Sequence, residues 1–243
     1  MENIVNYNGA NIEIYKEKYQ ACFEVVKQLV DLNKNKCSNI ALSGGSSPIL
    51  LFEIMRDNYS KKDFSNLKFY WVDERYVEKS DEQSNFGKFE KILIDTNIIE
   101  RKNVFPMYKK NNEKRDKRII EISTIIKENI SFKNNLPFFD LILLGLGDDG
   151  HTASLFPDNL DILEDNNIIL KTINPNNKQK RLTLSKNVIN NANKIFFLVF
   201  GQEKAIIVKE ILEYNNNALP SSYIKRDNSV SWYLDKYSAI LLS

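Results

Sequence analysis

Hydrophobic positions along the chain change their spacing several times, and each change predicts an element. From Ile14 to about Leu32 they recur at steps of three and four, through Tyr15, Tyr19, Cys22, Phe23, Val26, Leu29 and Val30, which predicts an amphipathic helix. The spacing then collapses into short apolar runs closed by polar or glycine-rich turns. These are NIALS (39–43), LKFYWV (67–72), FDLILLGL (139–146) and KIFFLVFG (194–201). Such runs fit strands covered on both faces, and hence a mainly parallel sheet. Helical patterns fall between them over 48–57, 84–94, 112–130 and 202–213. Shorter extended stretches, NIILKTI (167–173) and KRLTLS (180–185), predict added strands, and VSWYLD (230–235) a last strand before a terminal helix. Alternation of this kind predicts a single α/β domain over 1–243: a modified doubly wound, Rossmann-like, mainly parallel sheet with helices on both faces. Function is expected at the carboxyl ends of the strands.

Composition narrows the function classes. With 243 residues, 42% of them hydrophobic, the chain can bury a substantial core. Its net charge of +2 implies no nucleic-acid partner. The basic cluster KKNNEKRDKR (109–118) is broken by Asn, Glu and Asp and reads as a solvated helix start or loop. No apolar run is long enough to span a bilayer, and the first residues lack the apolar core of a secretory signal. The two cysteines, Cys22 and Cys37, have neither metal-ligand spacing nor a disulfide framework. A cytoplasmic protein without a metal site is the expectation.

Four strand-to-helix loops carry the candidate chemistry. In SGGSSP (Ser43–Pro48) two glycines permit a tight turn, Ser47 can cap a helix and Pro48 suits its first turn. Ser43, Gly44, Gly45 and Ser46 then form an anion cradle at a helix amino terminus, although an ordinary capped glycine turn would read the same way. No lysine stands at P-loop spacing, so ATP is not implied. In VDERY (72–76) Arg75 can hold a phosphate through its planar fork, with Asp73 directed at the polar body of a substrate. A salt-bridged strand exit is the plainer alternative. In FGQEKA (200–205) Lys204 would stand in the first turn of a helix, where a cation is unfavourable unless an anion meets it. An exposed surface lysine is the alternative there.

The remaining loop, GLGDDGHTASLFP (145–157), holds the only histidine of the chain. It formally contains G-x-G-x-x-G, but Pro157 stops any long helix and no acid follows at the end of a second strand, which argues against a dinucleotide. A lone histidine is commonly structural. Here the glycines let the backbone fold tightly, and Asp149 can reach the ring of His151. A carboxylate on one ring nitrogen fixes the tautomer and strengthens the base, as suits activation of water near neutral pH.

Taken in order, SGGSSP, VDER, SNFGKFEKIL around Asn85, GLGDDGHTASLFP, RLTLS, the lysine of GQEKA, and ALPSSY resemble the 6-phosphogluconolactonase family, over residues 40–223. The related deaminases share a DGH but continue to an Asn-Glu-Pro ending in place of Ser154-Leu155-Phe156-Pro157. Ser47 departs from the family's usual threonine, and Asp148 stands where proline or another residue is common. The resemblance implies a modified doubly wound fold and hydrolysis of 6-phospho-D-glucono-1,5-lactone, the second step of the oxidative pentose phosphate pathway. It implies no metal or organic cofactor. Catalysis would fall to His151 and Asp149, phosphate binding to Ser43–Ser46, Arg75 and Lys204, and contact with sugar hydroxyls to Asp73 and Asn85. In some parasites a related domain is joined to glucose-6-phosphate dehydrogenase, which implies a functional link to that enzyme. The competing expectations are a deaminase or isomerase acting on glucosamine 6-phosphate, and a sugar-phosphate sensor that binds without catalysis.

Overall fold

The computed structural model describes residues 3–7, 9–35, 37–107, 115–225 and 227–243. Its centre is a seven-stranded sheet. In chain order the strands of the protein are β1 (Asn3–Tyr7), β2 (Ala10–Tyr15), β3 (Ser38–Leu42), β4 (Leu67–Trp71), β5 (Asp73–Arg75), β6 (Phe132–Lys133), β7 (Leu136–Pro137), β8 (Leu141–Leu144), β9 (Ile169–Ile173), β10 (Lys180–Leu184), β11 (Ile195–Val199) and β12 (Val230–Asp235). The central sheet runs β1-β2-β12-β11-β8-β3-β4, with every pair parallel except the β1–β2 hairpin at one edge. All residues of β8, β11 and β12 are buried, and β8 and β11 accordingly read as unbroken apolar runs rather than alternating ones.

The helices are α1 (Lys18–Asn35), α2 (Ser46–Asn58), α3 (Asn85–Phe89), α4 (Arg115–Asn129), α5 (Lys186–Asn190) and α6 (Ala205–Leu212). One continuous apolar cluster joins them to the sheet. An aromatic knot within it matters for the site. The Phe52–Phe89, Trp71–Phe86 and Trp71–Phe89 pairs meet edge to face with centroids 5.2–5.4 Å apart, clamping α3 between α2 and β4. α3 continues as a π-turn over Glu90–Ile94, so the helix expected over 84–94 is present with a change of winding. No helix among the described residues is long and apolar enough to cross a membrane.

Several expectations are corrected. Ile14 and Tyr15 belong to β2, and α1 starts only at Lys18; the alternation over Ile12 and Ile14 is too short to stand out beside the helical pattern that follows. NIILKTI and KRLTLS are strands, but they lie in a separate antiparallel sheet, β5-β10-β9, in which β10 pairs with both β5 and β9. The chain beyond β12 forms turns instead of a terminal helix. There Ser238 N–H donates to the Asp235 carboxylate at 2.8 Å and its hydroxyl to Val199 O at 2.8 Å, bonds that compete with helix formation. The helix expected over 112–130 is described from Arg115 onward, and residues 109–114 of the basic cluster lie outside the described residues.

Because β4, β3, β8 and β11 are parallel neighbours, their carboxyl ends lie side by side. The chain moves outward from β3 to β4, then returns to the other side of β3 with β8. The loops after β3 and β8 therefore flank the point where strand order reverses, the usual position of a ligand crevice in an open α/β sheet.

Candidate active site

A cavity of about 250 Å³ opens at that point, and all four candidate loops reach it. From the loop after β3 come Ser43, Gly44 and Gly45, with Ser47 and Pro48 at the start of α2. The expected serine cap is replaced by Gly45, which takes φ 111° and ψ −169°, a conformation only glycine adopts without strain, so α2 begins two residues earlier than expected, at Ser46. No side chain caps this helix, which leaves its first N–H groups available to an anion. The Ser43 hydroxyl is buried without a partner.

His151 lines the same cavity. Its Nδ1 lies 2.5 Å from Asp149 Oδ1, and its backbone N–H donates to the same oxygen at 3.1 Å. With Nδ1 engaged, Nε2 is the nitrogen left to face the cavity; the side chain is 28% exposed. Burial works to raise the Asp149 carboxyl, but the bond and charge of His151, with backbone N–H donors, outweigh it and leave the group below its ordinary value. The turn is closed by Gly147 N–H to His151 O at 2.8 Å. A Cβ at Gly147 would stand 2.0 Å from His151 Nδ1, so glycine is obligatory there if the ring is to lie flat against the backbone.

The rest of HTASLFP ties this loop to its neighbours. The Thr152 hydroxyl donates to Gly145 O at 2.9 Å, and the buried Ser154 hydroxyl donates to Asp73 Oδ2 at 2.6 Å. Ser221, from ALPSSY, donates to Gly150 O through both its N–H and its hydroxyl. Pro157 begins a run of 3-10 turns to Glu164 rather than a long helix, in keeping with the rejection of a dinucleotide fingerprint.

Arg75 lines the cavity with its Nε buried and unpartnered, while one Nη donates to Gln83 O at 2.7 Å. Directly opposite it in the antiparallel β5–β10 pair stands Arg181, which was not singled out from the sequence. Arg181 is only 6% exposed, faces the cavity, and also has an unpartnered Nε. Its ion pair among the described residues is a long one, 3.6 Å to Asp73 Oδ2. Desolvation lowers its pKa, the attraction of Asp73 works against this, and the repulsion of Arg75 adds to it. Asp73, with a further pull from Glu74, is set against Arg181 beside the like charge of Arg75, an arrangement that an anion in the cavity would complement. The available signal was a polar alternation, Arg181 and Thr183, inside an apolar strand.

Two of the expected contact residues already have protein partners. Lys204 lines the cavity, yet its Nζ already donates to Leu146 O at 2.7 Å and pairs with the carboxylate of Asp148, linking the exits of β11 and β8. Asn85 stands behind the cavity wall. It is 3% exposed, its Nδ2 donates to Asp73 O at 3.0 Å, and a Cβ at Gly44 would lie 1.8 Å from its Oδ1. It braces the glycine turn from beneath.

Glu74 also lies beneath the wall, fully buried between Asp73 and Arg75, and burial raises its carboxyl to about 7 against the pull of three backbone N–H donors. In the unfolded chain this group ionises in the usual range near 4.5. Its contribution to stability is therefore complete below that pH and is lost as pH rises through about 7, by at most about 3 kcal/mol. Thermal melts should fall by several degrees between pH 5 and 7.5, and Glu74→Gln should flatten that slope. An unchanged slope in the variant would assign the pH dependence to other groups.

Comparison with known proteins identifies the family. A family model described as glucosamine-6-phosphate isomerases/6-phosphogluconolactonase matches residues 16–232. The 6-phosphogluconolactonase of Aggregatibacter actinomycetemcomitans is 36% identical over 233 residues, covering 93% of this chain and 94% of its own. The human GDH/6PGL endoplasmic bifunctional protein is 32% identical over 206 residues, which are 84% of this chain and 26% of that protein. Among solved structures, the devB protein superposes with a TM-score of 0.88 at 28% identity, covering 96% of this chain and 99% of that one. The fold, the order of the loops and the extent of these matches lead to one assignment: the chain belongs to the glucosamine-6-phosphate isomerase/6-phosphogluconolactonase family.

Proposed function

We propose that this protein hydrolyses 6-phospho-D-glucono-1,5-lactone to 6-phospho-D-gluconate, acting as one domain in the cytoplasm on the oxidative pentose phosphate pathway. The observation that carries the reading is the sharing of one cavity by a carboxylate-held imidazole and a pair of under-neutralised arginines. In this reading the 6-phosphate lies against Arg75, Arg181 and the amino terminus of α2. The lactone C1 lies before His151. Nε2 takes a proton from water as the water oxygen bonds to C1, the C1–ring oxygen bond breaks, and the proton passes to the departing ring oxygen. N–H groups of the glycine loops supply donors for the oxyanion. Asp149 holds the ring, Asp73 faces the sugar, and Lys204 and Asn85 hold the loops in place. No covalent nucleophile is required, since a lactone is already an activated ester that hydrolyses in water.

The relatives named 6-phosphogluconolactonase support the same substrate, and the human bifunctional relative, whose name joins GDH to 6PGL, supports a functional link with a dehydrogenase. The test is an assay of lactone loss against the spontaneous rate, run beside one for ammonia release from glucosamine 6-phosphate. Acceleration of the first and none of the second is expected. Ammonia release would favour the deaminase branch of the family, and binding of 6-phosphogluconate without acceleration a sensor.

A further inference from the structure

The VDER segment contains a buried carboxylate that the reaction above does not use. Glu74 is 1% exposed, and its side chain points away from the cavity that its two neighbours line. Its Oε1 accepts the N–H of Arg75 at 2.7 Å and of Asn85 at 2.9 Å; its Oε2 accepts the N–H of Phe86 at 2.8 Å and the Ser84 hydroxyl at 3.3 Å. All four donors belong to β5 or to the start of α3. A carboxylate with four acceptor sites can satisfy such a set, whereas an amide oxygen offers only two.

The consequence reaches the cavity by two short paths. One runs through the backbone: the bond to Arg75 N–H fixes the strand residue from which the guanidinium projects. The other runs through Asn85, held by Glu74 at its N–H, whose side chain grips Asp73 O and presses on Gly44. Arg75, Asp73 and the Gly44–Gly45 turn are thus set relative to one another by a single group that touches none of the ligand.

We infer that Glu74 is a positioning residue of the phosphate site, holding the Arg75 strand and the glycine cradle at the spacing that a phosphate ester requires. The inference rests on the functional reading given above. It differs from a purely structural role in what it expects of kinetics. Displacing a binding group by a fraction of an ångström weakens uniform binding of substrate, while the water-activating pair His151–Asp149, on another loop, is left as it was.

The experiment compares wild type, Glu74→Gln, Glu74→Asp and Asn85→Ala by steady-state lactone hydrolysis and by calorimetric binding of 6-phosphogluconate, with folding checked by circular dichroism. In Glu74→Gln, KM and the dissociation constant of 6-phosphogluconate should both rise about tenfold or more, with kcat within about threefold of wild type. Glu74→Asp, which keeps the charge on a shorter stem, should fall between the two. Asn85→Ala should raise KM in the same direction, and it carries the test if Glu74→Gln does not fold. Unchanged KM in folded Glu74→Gln, or in Asn85→Ala where the first variant is unfolded, overturns the inference alone. So does a loss confined to kcat. A wild-type protein that neither hydrolyses the lactone nor binds 6-phosphogluconate overturns the functional reading, and the inference with it.

Discussion

His151→Ala should lower kcat for lactone hydrolysis by about 10² to 10⁴, the range that a positioned general base contributes, while leaving the affinity for 6-phosphogluconate near its wild-type value. The separation is expected because the imidazole and the arginines reach the cavity from different loops: His151 from the exit of β8, Arg75 and Arg181 from the small antiparallel sheet. Asp149→Asn should give a smaller loss, about 10- to 10²-fold, since an amide can turn its NH₂ toward Nδ1 and favour the tautomer that presents N–H, not a lone pair, to water. The bond at stake is the 2.5 Å contact to Nδ1, and Asp149 keeps its carboxylate charged through that contact. Both variants are to be read against spontaneous hydrolysis, by single-turnover as well as steady-state kinetics. Turnover near wild type in His151→Ala would remove the imidazole from the chemistry and leave it a structural role against Phe156, whose ring centroid is 4.9 Å away.

Much of this site could be read from local pattern because its parts are local. A buried parallel strand must be apolar throughout and must end in a turn, so β3, β8 and β11 announced both themselves and the loops that bear Gly45, His151 and Lys204. Asp149 could be placed against His151 for the same reason, since two residues of a tight glycine turn cannot lie far apart. What could not be read was pairing between distant segments. The register that sets Arg181 opposite Arg75 spans more than a hundred residues, and nothing in KRLTL names its partner. Family likeness directs Asn85 to the substrate, and nothing in SNFGKF shows that its side-chain amide packs against Gly44. Lys204 illustrates the same limit from the other side. Its place at the strand exit was legible, but its bonds to Leu146 O and Asp148 depend on how the exits of β8 and β11 meet.

Arg181→Ala should raise KM about 10- to 10²-fold, as loss of a charge-assisted bond to phosphate does, with little change in kcat, and it should do so without lowering the melting temperature of the ligand-free protein. The second half follows from the charge balance. In the absence of a ligand, Arg181 is a desolvated cation beside another cation, its Nε unpartnered and its nearest carboxylate 3.6 Å away. Removing it relieves the desolvation of a buried cation and the repulsion of Arg75, offsetting the lost attraction of Asp73 and Glu74, while Asp73 keeps the Ser154 hydroxyl at 2.6 Å. Groups that hold the fold cost stability when deleted; a group kept for a ligand costs affinity instead. Arg75→Ala should raise KM similarly, and Arg75→Lys should recover only part of the loss, because an ammonium cannot reproduce the two-pronged fork. Saturating 6-phosphogluconate should raise the wild-type melting temperature, and the increment should shrink in Arg181→Ala by the same factor in affinity that KM reports. A drop of several degrees in ligand-free Arg181→Ala with unchanged KM would mark the residue as a structural partner of Asp73 and return the phosphate to the Lys204 side of the cavity.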